Sequence, residues 1–138
     1  MNLSKNVLNY LERINVQKTT NSHLLLTDLE KIIYSTNENY SNTLISKDLI
    51  ELTEKWQKEP ITEDLYFLSN NPIIKITTDD KDAFLGIMIF PIYIDYKIEG
   101  LAIFYRNNNI YSEDSKKAPN TIRKFIMHFM ESKIFPIY

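Results

Sequence analysis

Apolar positions along this chain follow two rhythms, one near 3.6 residues and one near 2, and the switches between them divide it into elements. Leu3, Val7, Tyr10, Leu11 and Ile14 share one face of an N-terminal helix, which "KTTNSH" is expected to break. "HLLLTD" and "KIIYST" are short β-friendly runs separated by Leu29 and Glu30, a spacing that predicts a hairpin. After the loop "NENYSN", Ser46 can cap a helix with Asp48 in its first turn. That helix carries Leu49, Leu52 and Trp56 on one face and ends before Pro60. Thr62 is expected to cap a short turn through "EDLYFL", stopped by the Asn-Asn-Pro signal that follows. "IIKITT", "AFLGIMIFPIYI" and "GLAIFYR" read as three strands, with "DDKD" and "DYKIEG" as the turns between them.

The last helix carries Ile122, Phe125, Ile126, Phe129, Met130 and Ile134 on one stripe. Ser112 looks like a helix start, but Pro119 would then lie too deep, so a kink or a fresh start is expected there. Pro91 is expected to close or bend its strand and Gly100 to begin the next. Gly86, costly inside a strand, predicts a bulge or close packing of a helix. The order is helix, two strands, helical crossover, three strands, long helix. It fits an α+β architecture built on an antiparallel sheet.

Composition narrows the function classes. The 138 residues suit one domain, which buries roughly two-thirds of its unfolded surface without covalent staples. There are no cysteines, so disulfides, thiolate metal sites and cysteine nucleophiles are out. A net charge of −2 lacks the basic footprint of a nucleic-acid binder, and no direct nucleic-acid contact is expected. The longest apolar run, Ala83 to Ile94, is 12 residues and contains Pro91. A membrane helix needs about 20. The N-terminus lacks the apolar core of a signal peptide, so a cytoplasmic protein with no membrane contact is expected.

Candidate catalytic chemistry is thin. His23 and His128 have no spaced ligand partners, and both read as structural. "TTDDKD" gathers Asp79, Asp80 and Asp82 but lacks the remaining ligands of a calcium loop, so it reads as a solvated turn. Two isolated glycines allow no phosphate-binding loop and no nucleophile elbow. No enzyme activity, cofactor or metal is expected.

The segments "HLLLTDLEKIIYST" and "FPIYIDYKIEGLAIFY" give the chain a recognisable outline. It resembles the GAF domains, relatives of PAS domains, and within them the C-terminal sensing domain of the stage V sporulation protein T family. Thr27 and Asp28 stand at that family's Thr-Asp pair, and Pro91 and Gly100 at its strand end and strand start. The resemblance implies one GAF-like domain over residues 1–138. It would have an N-terminal helix over 1–16, sheet and crossover over 20–110, and a C-terminal helix over 112–135. The antiparallel sheet would have five to six strands, with the terminal helices on one face and the crossover on the other. It also implies a regulatory sensor, in transcriptional or sporulation control, with an unidentified small molecule held between crossover and sheet by Tyr34, Trp56, Tyr66, Ile74, Ile76 and Phe90. Signalling would pass through a homodimer joined by Leu3, Val7, Leu11, Phe125 and Phe129. The family's N-terminal DNA-binding domain is absent and the cyclic-nucleotide signature is missing. The chain is therefore either a domain of a longer protein or a stand-alone sensor, and Met1 favours the second. The alternative is a ligand-free dimerisation or adaptor module with a protein partner.

Overall fold

The computed structural model describes residues 3–37, 40, 42–60, 62, 65–71, 74–78 and 84–131. Helix α1 (Lys5–Ile14) is capped by Ser4, whose Oγ accepts from the Val7 N–H at 3.2 Å. Asn15, at φ 51°, ends α1 and starts a short helix α2 (Val16–Thr20). Asn takes this left-handed conformation at little cost. The break thus falls at Asn15, and Lys18 to Thr20, expected as breakers, are helical.

Strands β1 (His23–Thr27) and β2 (Ile32–Ser35) form the expected hairpin. Asp28 Oδ1 shapes its turn, accepting from the Glu30 and Lys31 N–H groups at 2.7 and 2.8 Å. Helix α3 (Lys47–Gln57) starts at Ser46 as expected, with the Leu49 N–H donating to Ser46 Oγ at 3.2 Å. Strands β3 (Phe67–Ser69), β4 (Gly86–Ile94) and β5 (Lys97–Arg106) complete an antiparallel five-stranded sheet in the order β2-β1-β5-β4-β3. A 3₁₀ turn (Glu113–Lys116) leads into α4 (Lys117–Glu131). Pro119 lies in the first turn of α4, where its missing N–H costs nothing, so a fresh start resolves the expected conflict.

Both sheet faces are covered. Leu24, Leu26, Met88, Phe90, Ile92, Ala102 and Phe104 pack under α1 and α4. Leu25, Ile32, Ile87, Ile89, Leu101 and Ile103 pack under α3 and its flanking segments. Terminal helices on one face and crossover on the other is the arrangement expected. No helix among the described residues is long and apolar enough to cross a membrane.

Five local expectations change. The described residues of "IIKITT", Ile74 to Thr78, do not join the sheet: Thr77 makes an isolated bridge to Ile45, and the Ser46 N–H donates to Ile76 O at 2.8 Å. The outer edge of β4 is taken instead by Phe67–Ser69, expected as part of a turn. Pro91 does not close β4 but lies inside it and pairs with Leu101. The Leu101 N–H donates to Thr27 Oγ1 on β1 at 3.2 Å, so β5 asks no donor of Pro91, and the β3 pairing reaches no farther along β4 than Ile89. Gly100 lies inside β5, because the turn shrinks to Asp95 and Tyr96. Gly86 is crowded by a side chain, Tyr111, and not by a helix.

Candidate functional site

A spacious hollow lies where α3 meets the start of β5 and the β1–β2 turn. It holds about 620 Å³ and is lined by Leu29, Ile50, Thr53, Glu54, Gln57, Lys97, Ile98 and Glu99. Helical geometry creates one wall. Leu49 and Trp56 point from α3 into the core, which turns Ile50, Thr53, Glu54 and Gln57 toward the groove.

Three anchors hold α3 in place. Ser46 Oγ donates to Lys75 O, Asp48 Oδ2 accepts from the Lys75 N–H at 2.9 Å, and Gln57 Oε1 accepts from the Ile98 N–H at 3.1 Å. The first two fix the beginning of the helix and the third fixes its end against β5.

A bulge forms the opposite wall. Along the β4–β5 ladder Tyr93 faces Ile98 and Ile92 faces Gly100, so Glu99 is the extra residue. An extra residue re-aims its neighbours, and here Ile98 and Glu99 both line the groove. Leu29, 48% exposed on the β1–β2 turn, and Ile50, 40% exposed, supply apolar surface that the core does not use.

An adjoining hollow of about 280 Å³ shares Leu29 and Glu99 and adds Asp28 and Glu30. The ion pairs among the described residues are Lys47–Glu51 and Lys117–Asp114. Neither involves a groove carboxylate.

The sheet divides the six residues expected to line one pocket. Trp56 and Ile76 are buried, and Ile74 half-buried, in the core under α3. Phe90 is buried, and Tyr34 and Tyr66 half-buried, on the face under α1 and α4. There Tyr66 stacks on Phe90 with ring centroids 5.7 Å apart. Alternation along β4 is the reason, since Ile89 and Phe90 must point to opposite faces. None of the six lines the groove, although Trp56 lies on the same helix as four residues that do. The groove residues left a faint sequence signal: Leu29 is a large apolar side chain in a polar turn, and Ile50 stands beside the buried stripe of α3.

The expected interface set is also redistributed. Val7 and Leu11 are buried inside the protein's own core, Leu3 and Phe129 are half-buried against it, and Phe125 stays 46% exposed. α4 and the sheet cover α1 where a second subunit was expected.

The histidines differ in surroundings. His23 Nδ1 lies 2.9 Å from Gln17 Nε2 and 3.2 Å from Thr36 Oγ1, and its ring stacks on Tyr105. Burial lowers its pKa, favouring the neutral ring. His128 is exposed on α4. Asp79, Asp80 and Asp82 lie outside the described residues. Among the described residues no group of three His, Cys, Asp or Glu side chains is placed to hold a metal.

No protein-family model and no curated protein matches this sequence. Solved structures do match it. A GAF domain/HD domain protein from Geobacter sulfurreducens is 15% identical, covering 93% of this chain and 91% of its own, with a TM-score of 0.61. A domain assigned to a two-component sensor histidine kinase from Sinorhizobium meliloti is 10% identical, covering 95% of this chain and 93% of its own, at 0.56. The cofactor-binding GAF domain of the nutrient sensor CodY from Clostridium difficile is 13% identical, covering 96% of this chain and 100% of its own, at 0.55. At such identities the likeness is one of fold, and the fold is that of a GAF domain.

Proposed function

We propose that this chain is a non-enzymatic, cytoplasmic regulatory sensor domain that takes a small molecule in the groove between α3 and β5. The observation that carries this reading is the hollow of about 620 Å³ between the crossover helix and the sheet of a GAF fold. That volume falls in the range of small-molecule sites, roughly 300–1,000 Å³. Two of the structural neighbours are named as a cofactor-binding domain of a nutrient sensor and a domain of a sensor kinase.

A route for the signal is built into β5. Ile98 and Glu99 line the groove, and Ala102 and Phe104 further along the strand pack in the core beneath α1 and α4. A ligand that shifts the Gln57–Ile98 contact would act on the packing of both terminal helices, provided that it binds the two arrangements with different affinity.

The narrower likeness to the sporulation family loses weight, because Pro91 and Gly100 do not end and start strands here. The second reading, a module for a protein partner, is favoured by Leu8 and Phe125, which stay 42% and 46% exposed on α1 and α4.

Thermal melting with a metabolite panel, read beside Trp56 fluorescence, tests the sensor reading. A ligand should raise the melting temperature and change the emission of the indole, which is buried on the groove helix. A panel of acids, amines and neutral apolar compounds that moved neither signal would leave the partner-module reading in its place.

A further inference from the structure

The groove's charge is one-sided. Glu54 and Glu99 line it, and Asp28 and Glu30 line the hollow that continues from it. Among the described residues lining the two hollows, Lys97 is the one cation. The two ion pairs of the described residues lie elsewhere, so neither neutralises these carboxylates. Leu29 and Ile50 add exposed apolar surface to the same groove, and Ile98 lines it from β5.

We propose that the groove is selective for small organic ammonium ions that carry an apolar body. This rests on the sensor reading and names the ligand class of that same site. The apolar body would bury the surface that Leu29 and Ile50 leave in water, which supplies affinity in proportion to the area covered. The ammonium end would sit among carboxylates of a single sign along a low-dielectric wall, an arrangement that concentrates cations and repels anions. Each exposed carboxylate contributes little alone, so the selectivity belongs to the set. Gln57 Oε1 already accepts from the Ile98 N–H, which leaves it one lone pair for a ligand and makes it a secondary partner beside the carboxylates.

The test is calorimetry on the full chain with two matched pairs of probes, hexylamine against hexanoate and benzylamine against benzoate. The amines should bind about ten-fold or more tightly than their carboxylate partners, a preference that weakens as salt is raised. Glu54→Gln with Glu99→Gln should erase most of the preference and leave the melting temperature of the free protein unchanged. Equal binding of amines and carboxylates would overturn the ammonium selectivity and keep the groove as an apolar site. Retention of the full preference in the double variant would overturn the assignment to these carboxylates. If none of the four probes bound at any salt concentration, the groove reading would fall along with the selectivity.

Discussion

Tyr111 shows how one side chain can dictate the identity of another. Its ring fills the space over Gly86, where an added Cβ would stand 2.7 Å from Tyr111 Cδ2. The ring cannot step aside easily. Asn70 holds the Tyr111 backbone through a pair of hydrogen bonds of 2.8 and 2.7 Å. Its hydroxyl bonds to Ser22 Oγ at 2.7 Å, and the Arg106 guanidinium lies 4.2 Å above the ring centre. Gly86→Ala should therefore destabilise the protein by about 1–3 kcal/mol, as overpacking does. An unchanged urea midpoint in that variant would mean that the ring gives way. Burial pushes the Tyr111 hydroxyl up to about 12, against the smaller lowering effects of the Ser22 bond and Arg106. The unfolded tyrosine ionises near 10, so the folded state keeps its proton longer. Stability from this group is complete below about pH 10 and is lost as pH rises toward 12, about 2–3 kcal/mol in all. Tyr111→Phe should flatten that part of the stability–pH curve relative to the parent. Urea midpoints between those limits check it, and parallel curves would remove Tyr111 as the cause.

At the scale of elements, the β4–β5 hairpin is built with residues that its turn does not favour. Asp95 and Tyr96 have φ of 53° and 66°, the left-handed pair of a two-residue hairpin turn, where Asn-Gly is the usual choice. Tyr96 is 88% exposed and gains no packing in return for this conformation. Tyr96→Gly should stabilise the domain by about 0.5–1 kcal/mol, the strain relieved exceeding the entropy that glycine adds to the unfolded chain. A lower denaturation midpoint would show that the ring makes a contact worth more than its strain. The hairpin's position was legible from its flanking apolar runs, but its turn is shorter than the polar stretch between them. "DYKIEG" is more polar than its neighbours, yet Lys97 to Gly100 continue the ladder because Ile98 pairs with Tyr93 across it. The misreading of "IIKITT" has the same kind of cause. Its residues are as β-friendly as Phe67–Ser69, and sheet membership depended on which segment reached the open edge of β4.

At the scale of the whole molecule, the α1 and α4 stripes close the domain's own core, and only their outer margins remain for a partner. Leu11→Lys places a charge at a site that is 1% exposed and should unfold the chain, not release a folded monomer. Leu8→Lys with Phe125→Lys is the informative pair, since both positions are partly in water. If the protein self-associates through this face, the double variant should sediment as a folded monomer with its circular dichroism intact, at a stability cost of about 1 kcal/mol from the lost Tyr10–Phe125 ring contact. A folded variant with unchanged sedimentation would rule this face out as the self-association surface.

What the sequence determined by itself is the set of local preferences. These include the periodicity of α1, α3 and α4, the Ser46 cap, the β1–β2 hairpin and the two apolar runs that became β4 and β5. Those signals depend on neighbours within a few residues, so they survive without knowledge of the fold. The tertiary structure alone decided which segment became the fifth strand, that Tyr34, Tyr66 and Phe90 lie across the sheet from Trp56, and that a bulge at Glu99 meets Leu29 and Ile50 to open a groove. The physical reason is that a strand sends successive side chains to opposite faces, and a single inserted residue reverses that assignment. A bulge is a property of paired strands, and no spacing within either strand records it.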